Sequence, residues 1–412
     1  MQLQLSKKMG IKKGSFIKDK LIVCLICLFG VFPILPSRLK GLPVVVLFIV
    51  SIFFLKKEKR KFNVKGFFKL SSLFFVLFLS IFYTGSFYFP IDKIETSLSL
   101  FIIPLSFYLI GSNIKSNHNR LFIKCFIFST TVLSITSIFY YYFNNLFKKD
   151  YFKVNSFRKL IVEIPIINDH PIYISLYLAI TILFSIAVFP KINKNKKVIL
   201  IVISLINVFH LFLLSSKGII IAVLISVVLL LMLLLNNTWT KLKVTSFIIV
   251  LFIFGLIYFP NLNRRFKELT IKTTYTELQI TNSTSLRISV YKCAIEKIKQ
   301  KPILGYGWGA GDMALIECYK EKSEYLYREK LNSHNQYLDY YLNGGIIAIL
   351  VLMYFLYQQL IISIREKKYL FTSIIILFGI QMLSENILNR QSGIIIFIFI
   401  ISLLRTEKRS YD

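Results

Sequence analysis

Twelve stretches of this chain are apolar enough, and long enough or nearly so, to form membrane-crossing helices, which need roughly 20 residues each. They fall at about 20–36, 39–55, 66–88, 96–112, 119–146, 170–189, 198–214, 217–235, 244–259, 344–364, 369–388 and 391–404. The second and the last are short. The pattern predicts an all-α polytopic membrane protein of about 12 transmembrane helices. The first stretch runs into "GVFPILPSRLK", which has no small-residue cleavage site, and a second span follows soon after, so the first is expected to stay as a membrane helix. No internal repeat, low-complexity linker or second core is evident. Residues 1–412 therefore read as a single integral-membrane domain, with 260–343 as the one long polar insertion.

Composition agrees, with 55% hydrophobic residues, well above an ordinary soluble domain. The formal net charge of +31 invites a nucleic-acid reading. Its distribution argues against one. With the N-terminus inside, "KKMGIKKGSFIKDK", "KKEKRKFNVK", "KINKNKK", "REKK" and "RTEKRS" all fall on the cytoplasmic side, as the positive-inside rule requires. Orientation and anionic headgroups account for most of the charge. Both termini are then cytoplasmic, and two outer loops stand out. One, at about 147–169, contains the basic "KKDYFKVNSFRKL"; the other is 260–343. Long loops translocate regardless of charge.

The insertion carries most of the candidate chemistry. "STSLRISVYKCAIEKIKQKP" is expected to be helical, capped by Ser285, with Ile288, Tyr291, Ile295 and Ile298 on one face and Pro302 closing it. "ILGYGWGAGD" follows, with Gly305, Gly307, Gly309 and Gly311 alternating. This is not a nucleotide phosphate loop. It reads as a turn supporting a site, or as a flexible turn whose backbone passes close to something. "EKSEYLYREK" is a solvated helix or lid, and Gly344 and Gly345 permit a bend into the next span.

The stretch "LNSHNQYLDYYLNGG" places His334 and Asn335, with Asn332 or Ser333 as cap, in the first turn of a helix. The helix dipole there favours anions and disfavours imidazolium, so His334 fits a neutral base, or a capping histidine at the interface. Asn335 could orient the ring or an acceptor hydroxyl. Arg287 opens its helix where the dipole disfavours a cation, which an anionic ligand or plain solvent exposure would explain. Lys217, in "LLSSKGIIIAVLI", either snorkels to the interface or binds an anion in a cavity, and Gly218 allows close packing. Glu385 and Arg390, in "LSENILNRQSG", could pair with each other at an outer turn. His170 begins the sixth span, His210 is expected to be packed and hydrogen-bonded, and His118 lies in a cytoplasmic loop. Cys24, Cys27 and Cys125 read as small apolar fillers. Cys293 and Cys318 share the insertion and are either disulfide-bonded or free thiols. No carboxylate pair suited to a divalent metal stands out on the outer side.

The "SSKG" turn, the "SLRISVYKCAIEKIKQKPILGYGWGAGD" block and the "HNQYLDYYLNGGIIAILVL" block together resemble the O-antigen ligase and polymerase superfamily of bacterial membrane glycosyltransferases. "HPIYISLYLA" adds weaker support. The resemblance implies a GT-C-like protein of the bacterial cytoplasmic (inner) membrane with its active site in the periplasm. An undecaprenyl-diphosphate-linked glycan would be the donor, and lipid A-core or a growing glycan the acceptor. Carried over by motif, Arg287 would bind the diphosphate and His334 would act at the acceptor hydroxyl or diphosphate. Lys217 stands where ligases typically carry arginine, keeping the charge but losing the bidentate fork. Asn335 would assist, and His170, Gly305, Gly307, Glu385 and Arg390 would support the site. No cofactor, metal or nucleic acid is expected. The same site would serve a repeat-unit polymerase. A lipid-linked glycan flippase is the alternative from another class, although no repeated halves mark one.

Overall fold

The computed structural model describes residues 13–54, 64–83, 90–147, 156–162, 164, 168–268 and 283–406. Most of the basic segments "KKMGIKKGSFIKDK", "KKEKRKFNVK", "KKDYFKVNSFRKL" and "RTEKRS" lie wholly or partly outside the described residues. The described chain is all helical, without a strand, as a bilayer demands: in lipid only intrasegment hydrogen bonds satisfy every backbone group.

Each of the twelve apolar stretches becomes a helix. In chain order they are α1 (Lys13–Gly30), α2 (Leu42–Ile52), α3 (Val64–Tyr83), the broken pair α4 (Ile91–Ser97) and α5 (Ser99–Ile110), α6 (Ser116–Phe147), α8 (Pro171–Val188), α9 (Lys194–Leu214), α10 (Lys217–Leu234), α11 (Thr238–Tyr258), α16 (Gln336–Arg365), α17 (Tyr369–Gln381) and α18 (Gln391–Thr406). Short α7 (Ser156–Val162) and the insertion's α12 (Pro260–Lys267), α13 (Ser283–Gln300), α14 (Ala310–Lys322) and α15 (Glu324–Glu329) complete the fold. Among the described residues eight helical segments are long and apolar enough to cross a membrane, and α17 and α18 are shorter apolar helices. The chain is thus a multi-pass membrane protein. α18 is buried along its apolar run, from Ile394 to Leu404. α11 is at the opposite extreme, with only Gly255 buried, and presents its apolar surface outward.

The insertion departs from expectation in having a core of its own. Val290, Cys293, Ala294, Ile298, Leu315, Cys318, Tyr319, Leu326 and Leu342 pack together, separate from the bundle. The Cys293–Cys318 disulfide joins α13 to α14 inside that cluster. The same packing sets the face of α13. Ser289, Val290, Cys293, Ala294 and Ile298 turn inward, whereas Ile295, expected on the apolar face, is exposed. α13 also starts at Ser283, so Ser285 sits inside its first turn instead of capping it. His118 is likewise not in a loop. It lies in the first turn of α6, buried, with Nδ1 accepting from the Lys115 backbone and Nε2 3.6 Å from Asp19 of α1.

The glycine turn and the Gly344–Gly345 bend are two halves of one joint. Gly345 has a φ of +63°, and a Cβ there would collide with the Ile303 carbonyl. At the kink the Ile346 N–H leaves the helix ladder and donates to Pro302 O at 3.0 Å. The freed carbonyls of Leu342 and Asn343 accept from the Tyr306 and Gly307 N–H groups, each at 2.8 Å. An unsatisfied backbone group at membrane depth costs several kcal/mol, so the glycine turn is what makes the bend tolerable. Gly305, with a φ of +70°, is equally constrained, since a Cβ would come within 2.6 Å of Leu342 O.

Candidate active site

The ends of α9, α10, α12, α13, α16 and α17 meet at one end of the bundle, and the polar residues singled out from sequence gather there. α9 ends in Ser215 at a φ of +49°, and Lys217 is the first residue of α10. Gly218 behind it packs against Ser384, where a Cβ would not fit. Lys217 neither snorkels nor stands free. Its Nζ donates to Glu268 at 3.0 Å and to Thr284 Oγ1 at 2.6 Å, and its side chain is nearly buried. Glu268 also accepts from Ser283 Oγ at 2.8 Å. Burial pushes the Glu268 carboxyl up, but the lysine and the serine hydroxyl outweigh it and hold it below its ordinary value.

A second carboxylate organises the rest. Glu385, in the 382–390 turn between α17 and α18, accepts from Arg287 Nη2 at 2.7 Å through Oε1. Its Oε2 faces His334 Nδ1 at 3.4 Å, a long contact. The expected Glu385–Arg390 pair is therefore replaced: Arg390 is nearer in sequence, but α13 brings Arg287 to the carboxylate. Burial raises the Glu385 carboxyl, and the His334 contact and the Arg287 guanidinium more than reverse this, so it stays ionised below the usual glutamate range. A carboxylate can only accept, so in this contact the proton of His334 sits on Nδ1. That leaves Nε2 as the acceptor, and among the described residues it makes no hydrogen bond.

His334 lies just outside the helix start, not in its first turn. Asn335 is itself the N-cap of α16, its Oδ1 accepting from Tyr337 N at 2.9 Å and Leu338 N at 3.2 Å. His334 precedes it with a φ of +46°, a left-handed conformation that costs energy for a residue with a Cβ. Two bonds hold its backbone there. Its N–H donates to Asn332 Oδ1 at 3.1 Å. Its carbonyl accepts from Tyr291 Oη, which also reaches Leu383 O, at 3.2 and 3.1 Å. Tyr291 stands one helical turn after Arg287, so α13 contacts both the histidine loop and the Glu385 turn from one face.

Arg158 and Arg265, like Glu268, carry only long-range signals and were not singled out from sequence. Arg158 on α7 donates through Nη1 to Leu214 O at 3.0 Å and Ser216 Oγ at 3.3 Å, buttressing the Lys217 turn. Burial, reinforced by the nearby Arg265 charge, lowers its pKa to about 10. Arg265 on α12 is also lowered, by burial first, with Arg264 and Arg287 adding repulsion against the pull of Glu268. The only sequence mark of Arg158 is its place in a basic outer loop. His170 caps α8, its Nδ1 accepting from Ile172 N at 3.3 Å. Burial and the Arg390 charge lower its pKa to about 4, so it is neutral with its proton on Nε2: a donor, not a base. His210 is buried against Ser134 Oγ at 3.0 Å and takes no part. Arg158, Lys217, Arg265 and Arg287 thus lie around two carboxylates, Glu268 and Glu385, and Arg390 lies near His170, a local surplus of positive charge among largely buried groups. Such a surplus is stabilised by a multivalent anion.

Below this cluster the two polar segments are stitched together. Gln336 N donates to Met382 O at 2.8 Å, and Leu388 N to Gln336 Oε1 at 2.6 Å. Asn386 Nδ2 bridges Ser333 Oγ at 3.0 Å and Asp339 Oδ1 at 3.3 Å. This network fixes Glu385 relative to His334 through side chains of both loops. Among the described residues no group of His, Cys, Asp and Glu is arranged to hold a metal ion.

No curated protein matches this chain. Residues 199–353 match the O-antigen ligase family model, a span that includes Lys217, Arg287 and His334 but stops short of Glu385. The match covers less than half of the chain, and over that span the chain is similar to the O-antigen ligase family.

Proposed function

We propose that this protein transfers a glycan from an undecaprenyl-diphosphate carrier to a sugar hydroxyl of lipid A-core, at the periplasmic face of the bacterial cytoplasmic membrane. The observation that carries the reading is the pairing of a cluster with surplus cations and a histidine whose free nitrogen is presented beside it. Arg287 and Lys217 hold the diphosphate and stabilise the charge that develops on it as it leaves. His334 Nε2 takes the proton of the attacking hydroxyl. The acceptor oxygen bonds to the anomeric carbon as the carbon–oxygen bond to the diphosphate breaks, and the electron pair leaves with the lipid diphosphate. Direct attack of this kind inverts the anomeric configuration. Glu385 keeps the His334 proton on Nδ1 and is a positioning residue, as is Tyr291. Because the cations already supply charge stabilisation, transfer is expected to proceed in EDTA.

The same constellation would serve a repeat-unit polymerase, and lysine in place of the ligase arginine at 217 is the departure that keeps this second reading open. Reconstituted protein offered a polyprenyl-diphosphate glycan, with and without lipid A-core, separates them. A single acceptor shift that His334→Ala abolishes means a ligase, and a ladder without added acceptor means a polymerase. No product under either condition would reject transfer and return the flippase reading.

A further inference from the structure

The glycine turn lies below the rim of the bundle. Trp308 N donates to Ser80 Oγ at 3.0 Å, and the indole meets Phe74 edge to face at 5.8 Å. Ser80 stands three residues before the end of α3 at Tyr83 and Phe74 nine, so these contacts lie about 5 and about 14 Å in from that end along the helix. Tyr340, in the stretch of α16 before the kink, reaches Leu73 O at 3.5 Å, deeper still. α3 is among the segments long and apolar enough to cross a membrane. This part of the insertion therefore sits at membrane depth, beneath the end of a span, and not in the water above it.

One side of the sunken turn faces the bundle and the other faces away. Gly305, Gly307, Trp308 and Gly309 are buried, whereas Ile303 and Leu304 just before them are 65% and 42% exposed. The backbone of those two residues wraps the α16 kink, where a Cβ on Gly345 would strike both. Immediately beyond the kink α16 turns Ile346, Ile347 and Leu350 outward, all exposed. Ile303 and Leu304 thus extend the outward apolar stripe of a membrane-crossing helix, and at that depth such a stripe is covered by acyl chains. The local backbone fits the setting. Pro302 has no N–H, its carbonyl accepts from Ile346 N, and Gly305 N donates to Lys301 O at 3.2 Å, so these groups need no water. Lys299 and Lys301, both exposed, flank the apolar pair, the order of charge and apolar side chain that suits a bilayer interface. We propose that residues 299–304 anchor the insertion in the membrane. Ile303 and Leu304 enter the acyl region of the leaflet on the side of the site, and Lys299 and Lys301 reach the phosphates of its anionic phospholipids. The anchor follows the end of the helix that opens with Arg287, so it sets the level of the cationic cluster against the headgroups. It stands apart from the transfer reading, and its test needs no substrate.

The test places a nitrobenzoxadiazole label in the full-length chain, with the free thiols Cys24, Cys27 and Cys125 changed to Ala and the Cys293–Cys318 bond kept. The label is attached at Ile303→Cys, at Leu304→Cys as a second anchor position, or at Tyr325→Cys, a half-exposed reference site on α15. The proteins are reconstituted in liposomes of phosphatidylethanolamine and phosphatidylglycerol. Phospholipid bearing a nitroxide near the top of its acyl chain is expected to quench the two anchor labels about threefold more than the reference, and aqueous iodide to do the reverse. Omitting phosphatidylglycerol should weaken the lipid quenching at Ile303, and should cease to matter once Lys299→Gln and Lys301→Gln are added. Iodide that quenches the anchor labels as strongly as the reference would overturn the proposal. So would anchor labels that neither quencher reaches, because a second copy of the chain or another protein would then cover the turn. Lipid quenching that ignores phosphatidylglycerol in the parent would overturn the lysine contacts.

Discussion

Two ion-pair clusters lie near the same end of this bundle, and they are built on opposite principles. Lys40, fully buried, donates to Asp169 and, at 2.9 Å, to the Tyr177 hydroxyl; Asp169 also accepts from Tyr177, from Ser392 and from the His170 backbone. One cation meets one carboxylate, the neighbouring polar groups complete its shell, and nothing is left over. The cluster around Arg287, Lys217, Glu268 and Glu385 has more cations than carboxylates, stays partly open, and includes a histidine in a strained conformation. A closed, neutral pair specifies one packing of the helices. An open, unbalanced one is paid for by the rest of the fold and stabilised only when an anion arrives.

Substitutions in the two clusters should therefore separate cleanly. The largest effect is expected from His334→Ala, which should cut transfer by about 10²- to 10⁴-fold, the usual contribution of a positioned base. The melting temperature should barely move, because the residue is strained and partly open; a variant that melts early instead would blur the contrast. Lys40→Met should do the reverse. Leaving Asp169 buried and uncompensated costs about 3–5 kcal/mol, read as early thermal unfolding in detergent, and adding Asp169→Leu should recover much of it. Glu385→Gln should lower kcat about tenfold to a hundredfold, the value of one charge-assisted hydrogen bond, with little change in the donor KM.

A pH scan sharpens the comparison further. His170 bridges the two regions and is held neutral in the fold, with a pKa of about 4 against 6.5 for an unperturbed imidazole. The unfolded chain takes up that proton first, so the stability present above pH 6.5 should be lost as the pH falls toward 4. His170→Gln, which keeps a polar cap, should flatten that slope. Lys217→Arg should have the smallest effect of all: the charge remains, and the guanidinium fork is offered to the same oxygens.

The helical frame was legible because apolar runs of membrane length leave few alternatives, and ten of the helices begin or end within a few residues of their sequence-expected bounds. The bend was legible because two adjacent glycines faced an alternating glycine turn. Pairing was much less so. Glu385 was marked as important, yet its partner was sought five residues away at Arg390, whereas the true contact spans 98 residues. Arg158, Arg265 and Glu268 had no local signal, since a charged residue in a polar loop looks the same whether it faces water or a cluster. Asn386, Asn389, Gln336 and Asp339 passed unremarked for the same reason. The inward face of α13 was misjudged because the disulfide to α14 draws in Cys293 and Ala294 and leaves Ile295 exposed.

The central claim is that the unbalanced cluster exists to hold a lipid diphosphate. The most direct measurement is the binding of undecaprenyl diphosphate to the reconstituted full-length chain, compared with undecaprenyl monophosphate and repeated for Arg287→Ala, Lys217→Ala and Lys40→Met. The account predicts saturable binding with preference for the diphosphate, weakened at least tenfold by each of the first two substitutions and unchanged in the folded fraction of the third. Equal affinity across all of these proteins would contradict it.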